Sequence, residues 1–260
     1  MLNKLLLIMF FILFFMAIAT RSDAALYIDD TYTTTKGHFE TEFSVDYYKD
    51  IEKEYDPETE EYTKNIFKMT ELSIYTSYGL TENWDVGVTC PYQFLNDSSE
   101  GEVNGFSDIV LESKYRIWNE YKFLPSFALY FDLKTDSAND DKFLGTGKKD
   151  YTVNNIFTKY IGNNAFDLNL GYIFVGGQTD DDLFFYSFDF NRNLTDKVGI
   201  CSEIYGETDF KGDFDANIFC WALSLSYQIN KIISFESGVG IGISEASPDY
   251  QFSNSLTISF

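Results

Sequence analysis

After Gly37, apolar and polar residues alternate with a period of two through nearly the whole chain, which is the pattern of strands with one buried and one polar face. In GHFETEFSVDYY, Phe39, Thr41, Phe43, Val45 and Tyr47 share one face, while Glu40, Glu42, Ser44 and Asp46 share the other. The same alternation runs through ELSIYTSYGL, WDVGVTCPYQF, SDIVLESKYRIW, SFALYFDLK, AFDLNLGYIF, LFFYSFDFN, IFCWALSLSYQI, ISFESGVGIGI and the final QFSNSLTISF. VGICSEIYGE is weaker, and YTVNNIFTKYI is ambiguous because Asn154 and Lys159 fall on opposite faces. Twelve strands are expected.

The links between them sort into two kinds. KDIEKEYDPETEEYTK, NDSSEGEVNG, DSANDDKFLGTGKK, GGQTDDD and TDFKGDFDA are long and polar. They alternate with the short turns at Thr81–Asn83, NEYKF, Gly162–Asn164, NLTDK and Asn230–Lys231, and EASPDY leads into the last strand. Long links at one end and short turns at the other mark a transmembrane β-barrel. Strands of roughly ten residues fit the length a tilted strand needs to cross a bilayer. A barrel is required because an open sheet edge in lipid would leave backbone groups unpaired. The expectation is an all-β, antiparallel, up-and-down transmembrane barrel of about 12 strands, with 10 or 14 as alternatives. Its apolar face meets lipid and its polar face lines a lumen.

Composition agrees. The chain has 260 residues, 41 acidic against 19 basic, and 18% aromatics. That charge repels a phosphate backbone and excludes nucleic acid as a partner. The 26 Phe and 19 Tyr exclude a solvated, disordered chain. Lys4, the apolar run from Leu5 to Ala19, and the small residues Ser22 and Ala24 read as a secretory signal peptide. The expected organisation is a signal peptide over 1–24, a periplasmic N-terminal segment over 25–36 and an outer-membrane barrel over 37–260. With an even strand count, both ends lie in the periplasm. Whether residues 25–36 plug the lumen or hang below it stays open.

Candidate chemistry lies on the polar face. Glu112, Lys114 and Arg116 on one strand are the leading constriction candidates, with Asp132, Lys134, Glu203 and Glu236 as further lumen groups. Such charges either select a solute or compensate one another inside a polar interior. The single histidine, His38, has no serine or paired aspartate motif beside it, and glycines in GVGIGISEA alternate along a strand rather than open a helix. No enzyme, no cofactor and no metal site is expected. The acidic links lack the spacing of a calcium loop. Cys201 and Cys220 share the lumen face of successive strands, so they are either bridged across the strands or free, while Cys90 faces lipid. In the last strand Phe252, Leu256, Ile258 and Phe260 face lipid, with Asn254 as the exception. A terminal aromatic there is similar to the signal read by the outer-membrane assembly machinery.

From about Phe67 onward the chain resembles bacterial outer-membrane proteins named as transporters of the meta-pathway of phenol degradation. The resemblance rests on GFSDIVLESKYR, LGTGKKDYTVNNIFTKYIG, LNLGY, LTDKVGICSEIYGET and GVGIGISEASPDYQFSNSLTISF, in that order. It implies a barrel that passes small, often aromatic compounds. A monomer is expected, with lipid, lipopolysaccharide and the assembly machinery as its other partners. A barrel with a plugged, ion-paired lumen, serving a structural or surface-binding role, is the alternative.

Overall fold

Every alternating segment becomes a strand, and each pairs antiparallel with its neighbour. The structure, a computed structural model, describes residues 29–56, 61–99, 101–177, 182–211 and 216–260. The expected signal peptide lies outside these residues. The strands are β1 (Phe39–Asp56), β2 (Glu61–Thr81), β3 (Trp84–Asp97), β4 (Gly101–Phe106), β5 (Val110–Trp118), β6 (Ser126–Lys134), β7 (Asp150–Ile161), β8 (Asn164–Phe174), β9 (Leu183–Asn193), β10 (Val198–Thr208), β11 (Ile218–Gln228), β12 (Ile233–Gly242) and β13 (Tyr250–Ser259). They form one sheet in which β1 pairs with both β2 and β13, and β2 also pairs with β3, so the sheet closes.

β4 and β5 are two parts of a single wall strand. The outer half of β3 pairs with β4 and its inner half with β5. Thr89 is opposite Val110 and Tyr92 opposite Phe106, so Cys90 and Pro91 face three residues, Ser107, Asp108 and Ile109. This is a β-bulge, and proline explains its position. Pro91 accepts the Ser107 N–H through its carbonyl at 3.0 Å. On that same edge it has no N–H to give back, so the regular ladder cannot continue. The wall therefore has twelve strands, as the sequence pattern predicts.

The seam closes where expected. Glu40 is opposite Ser259 and Tyr47 opposite Phe252. Phe39 and Phe260 exchange both backbone hydrogen bonds, at 2.7 and 2.8 Å. Outward residues such as Phe43, Ile74, Leu111, Phe131, Leu225 and Val239 are exposed, forming the apolar face that lipid covers, while Thr158, Asp167, Asn169, Glu203 and Ser253 are buried on the inner face. Among the described residues no helix is long and apolar enough to cross a membrane.

Two links expected to be loops carry strand instead. The β1–β2 ladder continues to the pair Asp56 and Glu61, and the link after Asn96 contains β4. Both segments lack apolar alternation, so the sequence gives no strand signal; backbone pairing beyond the lipid needs none. The ambiguous β7 resolves with Thr152, Asn154, Ile156 and Thr158 buried inside. Lys159 faces out near the short-turn end, where its ammonium bonds Glu120 at 2.5 Å.

The long link between β6 and β7 folds back over the bulge. Asp108 accepts the Ala138 N–H at 2.8 Å and meets Lys134 at 3.4 Å, and Lys134 also pairs with Asp150 at 2.8 Å. Leu144 of this link is buried, with its carbonyl accepting from the Ser107 hydroxyl at 2.8 Å.

Candidate functional site

The inner wall is a field of hydroxyls, amides and carboxylates because strand parity sends every second side chain inward. Ser44 bonds Ser73 across β1 and β2 at 2.7 Å, and at the seam Ser259 donates to Glu40 at 2.7 Å and Thr257 to Glu42 at 3.2 Å. On one rung, Asp167, Asp189 and Glu203 lie side by side on β8, β9 and β10, each 2% exposed or less. Thr158 donates to Asp167 and Asn191 to Asp189.

Residues 29–36 lie inside the barrel at its short-turn end, while residues 25–28 of the expected N-terminal segment lie outside the described residues. The Lys114 ammonium grips the Asp29 carboxylate at 2.7 Å. Asn169 donates to the Asp29 carbonyl at 2.9 Å, and the Thr31 N–H donates to the Thr158 hydroxyl at 3.0 Å. Further on, the Thr34 N–H donates to Asp85 at 2.7 Å and its hydroxyl hydrogen bonds the Ser77 hydroxyl at 2.5 Å. Tyr32 packs edge-on to Tyr160 and lies under the Arg116 guanidinium, 5.7 Å from the ring centre. The strap reaches the wall only because residue 79 is glycine: a Cβ there would fall 2.3 Å from the Thr35 carbonyl oxygen. At the turn into β1, Gly37 takes φ +79° and donates to the Gly79 carbonyl at 2.8 Å.

Beside the strap, reaching the short-turn end at Lys231, is a lumen cavity of about 830 Å3. Three inward aromatics line it, Tyr75, Tyr130 and Phe185. Phe185 lies flat on the wall, over Gly171 of the next strand, where a Cβ would come within 1.8 Å of its ring. Tyr75 covers Gly87 in the same manner, with its ring 2.7 Å from where a Cβ would be. These two rings thus lie against the wall.

The predicted lumen residues divide. Glu112, Lys114 and Glu236 come together around the cavity. Glu112 accepts from the Thr89 hydroxyl at 2.5 Å and from the Tyr130 hydroxyl. Arg116 instead sits at the short-turn rim, donating to the Glu82 carbonyl at 2.7 Å and to Asn83. The triplet is therefore not one constriction, because successive inward positions are about 7 Å apart along a strand. Asp132 hydrogen bonds Thr152 away from the cavity. Lys134 belongs to the clasp at the long-loop end, and Glu203 to the buried carboxylate rung.

The bridged alternative for Cys201 and Cys220 is corrected: both are free. Cys201 is opposite Ser224 and Cys220 opposite Tyr205, four positions along the ladder. That offset is about 13 Å, beyond the reach of a disulfide. His38 is exposed at the short-turn end. Among the described residues no group of three or more His, Cys, Asp or Glu could hold a metal ion. Strap residues Asp29 and Asp30 and the inward Asn154, Asp85, Tyr130 and Phe185 line the cavity without having been singled out from sequence. Parity alone marked the wall residues, and nothing local marked the strap.

A family model described as "Putative MetA-pathway of phenol degradation" matches residues 29–260. Among solved structures, the COG4313 outer membrane channel from Pseudomonas putida F1 superposes with a TM-score of 0.71 at 13% identity, covering 91% of this chain and all of that one. The KdgM porin in complex with disordered oligogalacturonate gives 0.56 at 9% identity, covering 85% and 99%. The Ralstonia pickettii toluene transporter TbuX gives 0.50 at 7% identity, covering 92% and 95%. At these identities the likeness is one of fold, the outer-membrane β-barrel. No curated protein matches the chain.

Proposed function

The chain belongs to this phenol-degradation family, and from that premise we propose that it is an outer-membrane channel for small solutes, aromatic ones among them. The observation that carries the reading is the lumen cavity of about 830 Å3, with the aromatics Tyr75, Tyr130 and Phe185 in its largely polar wall. Solved structures of similar fold include the Ralstonia pickettii toluene transporter TbuX.

In this reading the long links face the exterior and the short turns the periplasm, so both ends of the barrel chain are periplasmic and residues 29–36 form a strap across the periplasmic mouth. Residues 1–24 are the export signal. The barrel acts as a monomer. Its outward apolar face is solvated by lipid and, at the long-loop end, by lipopolysaccharide, and its last strand is the part read by the assembly machinery.

The strap also favours a second reading, a plugged barrel, because Lys114, Thr158, Asn169 and Asp85 hold it through both backbone and side chain. Planar-bilayer conductance separates the two. The mature chain is expected to conduct, and a chain lacking residues 25–36 to conduct severalfold more. Silence from both, with unheated gels showing a folded barrel, refutes the channel.

A further inference from the structure

The cavity lining is one-sided in composition: nine acidic side chains face two lysines. One of those, Lys114, is already engaged by Asp29 at 2.7 Å and by the Asp30 carbonyl at 3.4 Å. The other, Lys231, is exposed at the short-turn end. The acidic groups come from opposite sides of the barrel, Glu42 on β1, Glu112 on β5 and Glu236 on β12, so a cation in the lumen meets acidic groups across it rather than along one wall. Low-dielectric walls strengthen that attraction.

A second, independent observation concerns hydrogen bonding. The Asp29 carbonyl can only accept, which fixes the Asn169 amide with its Nδ2 toward the strap. The Asn169 Oδ1 then accepts from the Asn154 Nδ2 at 2.6 Å. This leaves the Asn154 Oδ1, on a residue 4% exposed at the cavity wall, with no partner. A buried acceptor left open in this way calls for a donor. The aromatic faces of Tyr75, Tyr130 and Phe185 add a third contact that suits the same ligand, because ring faces attract cations.

We propose that this lumen selects for organic ammonium ions, aromatic amines in particular, and rejects aromatic carboxylates of the same size. The ammonium head is met by Glu112 and the open acceptor of Asn154, and the ring by the wall aromatics. This deepens the channel reading and rests on it for the direction of transport, while the binding preference stands by itself.

The test is calorimetric titration of the folded, mature barrel in detergent at low ionic strength, with benzylammonium and benzoate as the matched pair. Benzylammonium is expected to bind at least about tenfold more tightly, as carboxylate-lined pores favour cations. Glu112→Gln and Asn154→Leu should each weaken benzylammonium severalfold while the acidic outer links stay unchanged. Their folding is checked by gel migration without heating. Equal binding of the two ions, preference for benzoate, or no binding of either by the unaltered protein overturns the proposal. So does a benzylammonium affinity that both folded variants leave unchanged. Should bilayers stay silent while benzylammonium still binds selectively, the channel reading fails and this inference survives.

Discussion

At Gly171 the wall has no room for a methyl group, since a Cβ would lie 1.8 Å from the Phe185 ring. The ring therefore lies against the wall, where the glycine permits. Gly171→Ala is expected to push Phe185 into the lumen and to cost about 1–3 kcal/mol, the usual penalty of overpacking. Denaturant unfolding in lipid vesicles measures it. In the double variant with Phe185→Leu most of that loss should return, and an additive result would show that the ring is not the cause. Single residues also account for the two breaks in the sequence pattern. Asn254 does face outward, but the Ser237 hydroxyl on the neighbouring strand donates to its Oδ1 at 2.9 Å. Lys159 faces outward at the barrel end and finds Glu120 there. Each exception is satisfied by a partner that is distant in sequence, which is why local periodicity could not explain it.

At the scale of the strand, parity was legible because it is local: a period of two states which face each residue occupies. Glu112, Lys114 and Glu236, which parity turns inward, line the cavity. Parity could not place them in height, and height separates Arg116 and Lys134 from the cavity and Cys201 from Cys220. β13 illustrates how an element gains importance from its partner. Phe260 closes the ladder with Phe39 and stacks on its ring at 5.9 Å. Phe188 makes a comparable outward stack with Phe166, at 6.3 Å, in the middle of the wall. Phe260→Ala is therefore expected to lower the assembled, heat-modifiable fraction in the outer membrane more than Phe188→Ala. Equal assembly of the two would show that the seam residue has no special part.

For the molecule as a whole, the decisive property is that the sheet has no free edge, so its apolar face can be turned outward without exposing backbone to lipid. Val239, outward and 46% exposed on β12, tests that inversion. Val239→Arg is expected to cost about 2–4 kcal/mol if it lies near the midplane, as charged substitutions on a lipid face do. Val239→Leu should be close to neutral in the same vesicle unfolding measurement. A negligible cost for arginine would contradict a lipid-facing position.

The sequence by itself determined the strand pattern, the facing of nearly every side chain, the division into long and short links and hence a closed barrel of twelve strands. All of these follow from residue spacing within a few positions. Tertiary structure alone decided that residues 29–36 enter the lumen, that Gly79 and Gly171 make room for strap and ring, that the cysteines stay apart and that Asn154 is left with an open acceptor. Those facts depend on which strands become neighbours and in what register. Closure of the barrel fixes both, and no single stretch of sequence contains them.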